Sequence, residues 1–236
     1  MAHVLDNPVW NALISGNKGL SEGVDGVKYF ASDVSPFVGF ETLAPQCFGL
    51  LHDLMPTQRL LGVVSPAALA IPGQWQVVQQ MQVLQMVQEA ATADAVAEEA
   101  RLIPLGQEHV PAMLALTKRT NPGPFASNTI AFGHYAGIFD GNELVAMAGQ
   151  RLHPEPYAEI SAVCTHPDYL GRGYARQLLQ YQARRIRAEA GIPFLHVKAD
   201  NTGAIKLYES LGFRTRKEMS FYIIRKAPNA TQPEGQ

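Results

Sequence analysis

The chain has 236 residues, 47% of them hydrophobic and 17% charged, with a formal net charge of −2. That composition can bury a sizeable core, and the near balance of charge argues against nucleic acid or an anionic membrane surface as the main partner. Its two cysteines, Cys47 and Cys164, lack the spacing of a zinc site or a disulfide framework, so no metal is expected and a reducing, cytoplasmic setting fits.

The opening "MAHVLDNPVWNAL" has no basic segment leading into a long apolar run, and no run elsewhere is long enough to span a membrane, so neither export nor a membrane partner is expected. Asn7 followed by Pro8 predicts a helix start, with "VWNAL" behind it. Phe48, Leu50, Leu51 and Leu54 suit one helical face, while "RLLGVV" and "QVVQQMQVLQMV" read as strands. Residues 1–88 thus read as a mixed α/β region without a catalytic constellation. "QEAATADAVAEEA" is rich in Ala and acids and poor in large apolar side chains, which places a boundary there, with 89–100 as linker.

Beyond it, "RLIPLG" reads as a short strand and "QEHVPAMLALTK" as an amphipathic helix that runs out near Pro122 and Pro124. Asp140 and Gly141 sit between two apolar strands as a hairpin turn, and "AEISAVCTH" completes an antiparallel meander. A helix is expected from about Gly173 to Glu189, with an apolar stripe of Ala175, Leu178, Leu179, Ala183 and Ile186 broken by Gln182. "PFLHVKA" is the next strand, "NTGAIKLYESLG" a helix closed by Gly212, and "SFYIIRK" a last strand. Residues 227–236 read as a disordered tail.

Between strand and helix lies "HPDYLGRGYARQLL". A glycine-rich turn ahead of a helix is an anion site in outline, because free N–H groups at the helix start point outward with the dipole behind them. Two nucleotide motifs fail on the letters. A P-loop needs Gly-Lys-Ser/Thr where Arg172-Gly173-Tyr174 stands, and the dinucleotide fingerprint needs a third glycine where Arg176 stands. Taken alone, Gly171 and Gly173 read equally as a plain turn.

A second stretch changes the reading. "VCTHPDYLGRGYARQLL" together with "NTGAIKLYESLGF" resembles the GNAT superfamily of N-acetyltransferases. The family signature falls on Leu170, Gly171, Arg172, Gly173, Tyr174 and Ala175, with Leu170 in place of the usual Gln or Arg. The second family element falls on Asn201, Ala204, Leu207, Tyr208, Gly212 and Phe213. The resemblance covers residues 101–226 and implies an α/β fold with a mixed sheet, the GNAT acyl-CoA N-acyltransferase fold, preceded by a smaller α/β region. Residues 1–88 are then either a degenerate GNAT-like half or an unrelated small domain.

The resemblance implies an acetyl group moved from acetyl-CoA to a primary amine by direct attack. The backbone of Val163, Cys164 and Thr165 would pair with the pantetheine arm like an added strand, and the N–H groups of Gly171, Arg172, Gly173, Tyr174 and Ala175 would cradle the pyrophosphate. Arg172 or Arg176 would add charge. Tyr208 is implied as proton donor to the departing thiolate, and Asn201 as a pantetheine contact or helix cap. Glu159 is expected as general base through a water, with His153 and His166 as rivals. Cys164 on a strand is expected to be inert. Phe125, Tyr157, Glu155 and Glu159 suggest an apolar acceptor groove with an acidic end. The partner is a small-molecule or peptide amine, the chain a monomer or homodimer. A CoA-binding sensor and a protein N-terminal or lysine acetyltransferase are the competing readings.

Overall fold

The computed structural model describes residues 3–90 and 102–228. The linker from 91 and the tail from 229 lie outside the described residues. Among those described, no helix is long and apolar enough to cross a membrane.

The chain opens with α1 (Pro8–Ile14), whose proline occupies the first turn. Asn7 does not cap it with its side chain; its amide donates instead to Phe40 O at 2.7 Å, tying the helix to the strand beneath. Strands β1 (Ser21–Val24), β2 (Val27–Phe30) and β3 (Val38–Phe40) form a small antiparallel sheet. Helix α2 (Pro45–Leu54) follows, burying Cys47, Phe48 and Leu51. Leu50 and Leu54, expected on that face, are 44% and 36% exposed. Leu50 lies two residues beyond Phe48, nearly opposite it on the helix.

Next come β4 (Leu61–Ser65) and β5 (Trp75–Val87), the two strands read from the alternation there. After the linker come β6 (Ile103–Pro104), α3 (Val110–Thr120), β7 (Ala136–Asp140), β8 (Glu143–Gln150) and β9 (Tyr157–Thr165). The chain finishes with α4 (Tyr174–Ala188), β10 (Ile192–Lys198), α5 (Thr202–Ser210) and β11 (Arg214–Lys226).

The main sheet has eight strands in the order β4-β11-β5-β10-β9-β8-β7-β6. β5 therefore sits between β10 and β11, antiparallel to both. The boundary expected near residue 88 does not divide the sheet, because the strand just before it supplies the centre of the part that follows. Arg187 secures this crossing from α4, donating to Gln88 Oε1 at 3.1 Å. β11 begins six residues earlier than "SFYIIRK" because its pairing with β5 extends from Lys226↔Trp75 down to Arg214↔Val87.

α4 and α5 cover one face of the sheet through Ile160, Leu179, Ile186, Leu195, Tyr208 and Phe213. The other face is covered by α1 and the β2 region, through Leu5, Val9, Phe30 and Phe37 against Val87, Phe194 and Met219. α3 closes the rest of that face with Met113 and Leu116 against Met147 and Cys164. Gln182, the polar break in the α4 stripe, is fully buried and fully used. Its amide nitrogen donates to His134 O (2.6 Å) and Ala148 O (3.2 Å), and its oxygen accepts from Gln150 at 3.2 Å.

Candidate active site

β9 and β10 run parallel over three pairs only, from Tyr157↔Ile192 to Glu159↔Phe194. Beyond them the two strands part. β9 continues to Thr165 paired with β8, and β10 to Lys198 paired with β5. The result is a wedge along which the backbone edge of β9 facing β10 has no strand partner among the described residues. A polar chain can lie there and take the place of a strand. The expected residues Val163, Cys164 and Thr165 are on this edge.

The edge is also bent. Met147 pairs with Cys164 and Gly149 with Ser161, so β9 spends one residue more than β8, and Ala162 sits at φ 53°. A non-glycine residue in that region marks a bulge that re-aims its neighbours. Val163 then packs toward α4 and α5, in the cluster that holds Tyr208, while Cys164 packs under α3. Burial pushes the Cys164 thiol up to about 11, which keeps it protonated and unreactive.

At the mouth of the wedge, His166 opens a short turn (Pro167–Tyr169) and then Gly171 and Gly173 take φ of 78° and 79°. A side chain would be strained at both positions, and a Cβ built on either meets nothing within 4 Å, so the backbone there is open to an approaching group. Gly173 caps α4 without any side-chain hydrogen bond, leaving the first-turn N–H groups of Tyr174 and Ala175 directed at that space. Two buried polar atoms on the flanking elements, Thr165 Oγ1 at the end of β9 and Gln177 Oε1 in α4, have no hydrogen-bond partner. A phosphate-bearing, amide-containing chain fits these donors and acceptors. Arg172 stacks on the Tyr169 ring at 4.5 Å, and Arg176 donates to Ser210 Oγ at 2.8 Å, tying α4 to α5.

α5 closes the wedge on its helical side. Asn201 caps it, its side chain accepting from Ala204 N–H at 3.1 Å, and Gly212 ends it at φ 85°. Tyr208, one turn from the C-terminus, is 9% exposed, and burial pushes its phenol up to about 12. It therefore carries its proton at every ordinary pH.

Glu159 sits on the opposite face, fully buried. Arg151 donates to it twice, at 2.9 and 2.6 Å, and His196 Nδ1 lies 2.8 Å from its Oε1. Burial alone would raise its pKa, but the Arg151 and His196 partners outweigh it and hold the carboxyl well below the usual range. Such a carboxylate is a weak base with both oxygens occupied. The network continues: His196 Nε2 is 3.1 Å from the Gln85 amide, Arg216 donates to Gln85 at 2.6 Å, and Arg216 reaches Asp6 at 2.6 Å. Of the rivals, His166 accepts from Asp168 N–H within its own turn and contacts Arg119 of α3 through its other ring nitrogen. His153 is at the far end of β9, its pKa lowered by burial and by nearby His134, with Nε2 unpaired.

Of the acceptor residues named from sequence, Glu155 and Tyr157 line one cleft beside His153, Phe125 packs elsewhere and Glu159 is buried. Phe125 packs edge-on to Tyr135, whereas Tyr157 packs on Phe194 and reaches His3 at 3.2 Å. Arg151, His196 and Gln85 went unremarked in the sequence, although alternation along β9 puts Glu159 on a covered face, where a carboxylate requires a cation. Nothing in the letters marks Ala162.

Residues 135–222 match the family described as FR47-like protein. A crystal structure of a GNAT-family protein from Novosphingobium aromaticivorans DSM 12444 is 34% identical, with a TM-score of 0.89, covering 96% of this chain and 100% of that one. The chain belongs to the GNAT family. The GNAT fold is shared at lower identity by a GCN5-related N-acetyltransferase from Kribbella flavida (14%, TM-score 0.65, 97% of this chain and 98% of that one). N-alpha-acetyltransferase RimI of Mycobacterium tuberculosis is 38% identical over 85 residues, 34% of this chain and 52% of that protein. A mycothiol acetyltransferase of Corynebacterium glutamicum (strain R) is 34% identical over 86 residues, 36% of this chain and 30% of that protein. The chain thus spans about half the length of one curated relative and under a third of the other. Relatives named as acetyltransferases and the GNAT architecture support acyltransferase activity with acetyl-CoA as donor.

Proposed function

We propose that this GNAT protein acetylates a primary amine, on a small molecule or a peptide, by direct attack on acetyl-CoA. The observation that carries the reading is the wedge between β9 and β10, with an unpaired strand edge on one side, the Gly171–Ala175 cradle at its mouth and a protonated Tyr208 on its helical wall. Bound acetyl-CoA supplies an activated thioester whose departing thiolate needs a proton. The backbone of Val163 to Thr165 binds the amide-bearing arm, and residues 171–175 take the pyrophosphate on their N–H groups. Tyr208 donates its phenolic proton to the sulfur, and Asn201 holds the start of α5 so that Tyr208 is presented at the right depth.

Glu159 is a positioning residue in this reading: with Arg151 and His196 it fixes β9 against β10 where the strands begin to part. The acceptor then attacks as the neutral amine: its C–N bond forms as the C–S bond breaks, the proton the nitrogen sheds leaves to solvent, and solvent restores the proton Tyr208 gave to the sulfur. The test is free-thiol release from acetyl-CoA across amino acids, polyamines, aminoglycosides and short peptides, repeated with Tyr208→Phe. An amine-dependent signal that falls in the variant supports the reading. Thermal stabilisation by acetyl-CoA with no amine releasing thiol would instead make the protein a CoA-binding sensor.

A further inference from the structure

Apart from the wedge between β9 and β10, the main sheet has three stretches of edge backbone among the described residues, and two are protected. β6 is two residues long and contains Pro104. The outer edge of buried β4 is taken by Pro36 and Phe37, through Gly62 N–H to Pro36 O at 2.9 Å and a bridge between Phe37 and Gly62. The third belongs to β5, which pairs β11 from Trp75 to Val87 but β10 only from Val83 to Val87. Residues 76–82 overrun the end of β10. Among the described residues, the backbone bond that this side receives is Ala199 N–H to Gln82 O at 3.1 Å.

An open strand edge is a template for another strand, and proteins usually blunt it with charge, proline or shortness. "QVVQQMQ" carries no charge and no proline. Val77 and Val78 are 41% and 47% exposed, and Gln76, Gln79, Gln80 and Gln82 are exposed beside them. Its one irregularity is a bulge at Val78, which twists the strand without charging it. The segment is also close to its own complement. Turned antiparallel about Gln79, Gln76 meets Gln82, Gln79 meets its own copy and Val77 meets Met81, like facing like at each, while Val78, at the bulge, falls opposite Gln80.

We propose that residues 76–82 pair with the same residues of a second copy of this chain, joining two sheets across a two-fold axis. A strand shaped for a foreign peptide has no reason to match itself, and it would carry charge to select its partner. The cleft beside the edge, about 320 Å³ between Gln79, Met81 and Gln82 on one side and Lys198, Ala199 and Asp200 on the other, receives side chains of the partner strand.

Sedimentation equilibrium of the full chain tests this independently of any acetyl transfer. The wild type is expected at twice the 25.7 kDa of one chain. Gln79→Glu and Gln79→Lys are each expected at the single-chain mass, because each sets like charges face to face at the axis, and their equimolar mixture returns to the doubled mass. Recovery on mixing shows that both variants are folded. In the wild type, amide exchange at residues 76–82 slows as concentration rises. A wild type that stays single at high micromolar concentration overturns the proposal, as does a Gln79→Glu chain that still dimerises or a mixture that does not. Protection of 76–82 that arises only on adding a peptide amine would give the edge to the acceptor instead.

Discussion

Arg151 grips Glu159 with two nitrogens, at 2.9 and 2.6 Å, where Glu159 has no water to fall back on and the Arg151 side chain is only 14% exposed. Charge-assisted bidentate pairs of this kind are strong only while both members are present. Glu159→Gln leaves a buried guanidinium uncompensated and is expected to cost about 3–5 kcal/mol of stability. Arg151→Met combined with Glu159→Gln recovers part of it. Chemical denaturation of the two variants measures the difference. If Glu159 positions rather than abstracts, the acidic limb of the kcat/KM profile keeps its shape in Glu159→Gln; loss of that limb would restore the base role.

The same pair sets an acid sensitivity. The folded Glu159 carboxyl lies below its unfolded value, so the folded state binds fewer protons there. Its contribution is complete above the unfolded value, near ~4.3, and drains away as pH falls toward the folded one. The melting temperature is therefore expected to fall less steeply with pH, below ~4, in Glu159→Gln than in wild type. Thermal melts across that range give the comparison.

Tyr208→Phe removes one oxygen and leaves the buried ring in place against Phe213, 6.2 Å away. Loss of a positioned proton donor is expected to lower kcat by ~100-fold or more, with little change in KM for acetyl-CoA or in melting temperature. Because burial pushes the phenol to about 12, no basic limb from Tyr208 should show between pH 7 and about 10 in the wild type. An equal loss of kcat and thermal stability would make the ring, not the hydroxyl, the relevant part.

Gly173→Ala places a methyl group in the open space over the turn, on a backbone at φ 79°. Nothing clashes within the chain, so the strain is limited to about 1–2 kcal/mol. The larger effect falls on the ligand. CoA affinity by calorimetric titration is expected to drop by roughly tenfold or more, equivalent to at least about 1.4 kcal/mol. Gly141→Ala is the control: at φ 57° in the hairpin turn it carries comparable strain away from the cradle and should leave affinity unchanged.

Gln182→Leu completes the apolar stripe of α4 and would look stabilising from the sequence. In the structure it strips partners from His134 O, Ala148 O and the Gln150 amide together. Each unpaired buried group costs about 1–3 kcal/mol, so a clear fall in melting temperature is expected.

Much of the fold, and the position of the Gly171–Gly173 turn within it, was legible in the letters. Helices α3, α4 and α5 and the β7–β8 turn follow from local periodicity, caps and turn chemistry, which depend on residues a few positions apart. The Gly171–Gly173 turn was ambiguous by itself, and its pairing with Asn201 and Tyr208 supplied the reading. The acceptor side was not legible. Phe125 and Tyr157 were expected to line one groove, yet their neighbours are Tyr135 and Phe194, set by packing across different clusters.

The sequence by itself determined the local elements, the glycine turn and the family motifs, because each is written in neighbouring residues with a fixed period or turn requirement. Only the tertiary structure decided that β5 enters the sheet between β10 and β11, and that Glu159 meets both Arg151 and His196. Strand order and ion-pair partners are long-range choices, settled by which edges and buried charges find a complement once the whole sheet closes. Local pattern does not carry that information.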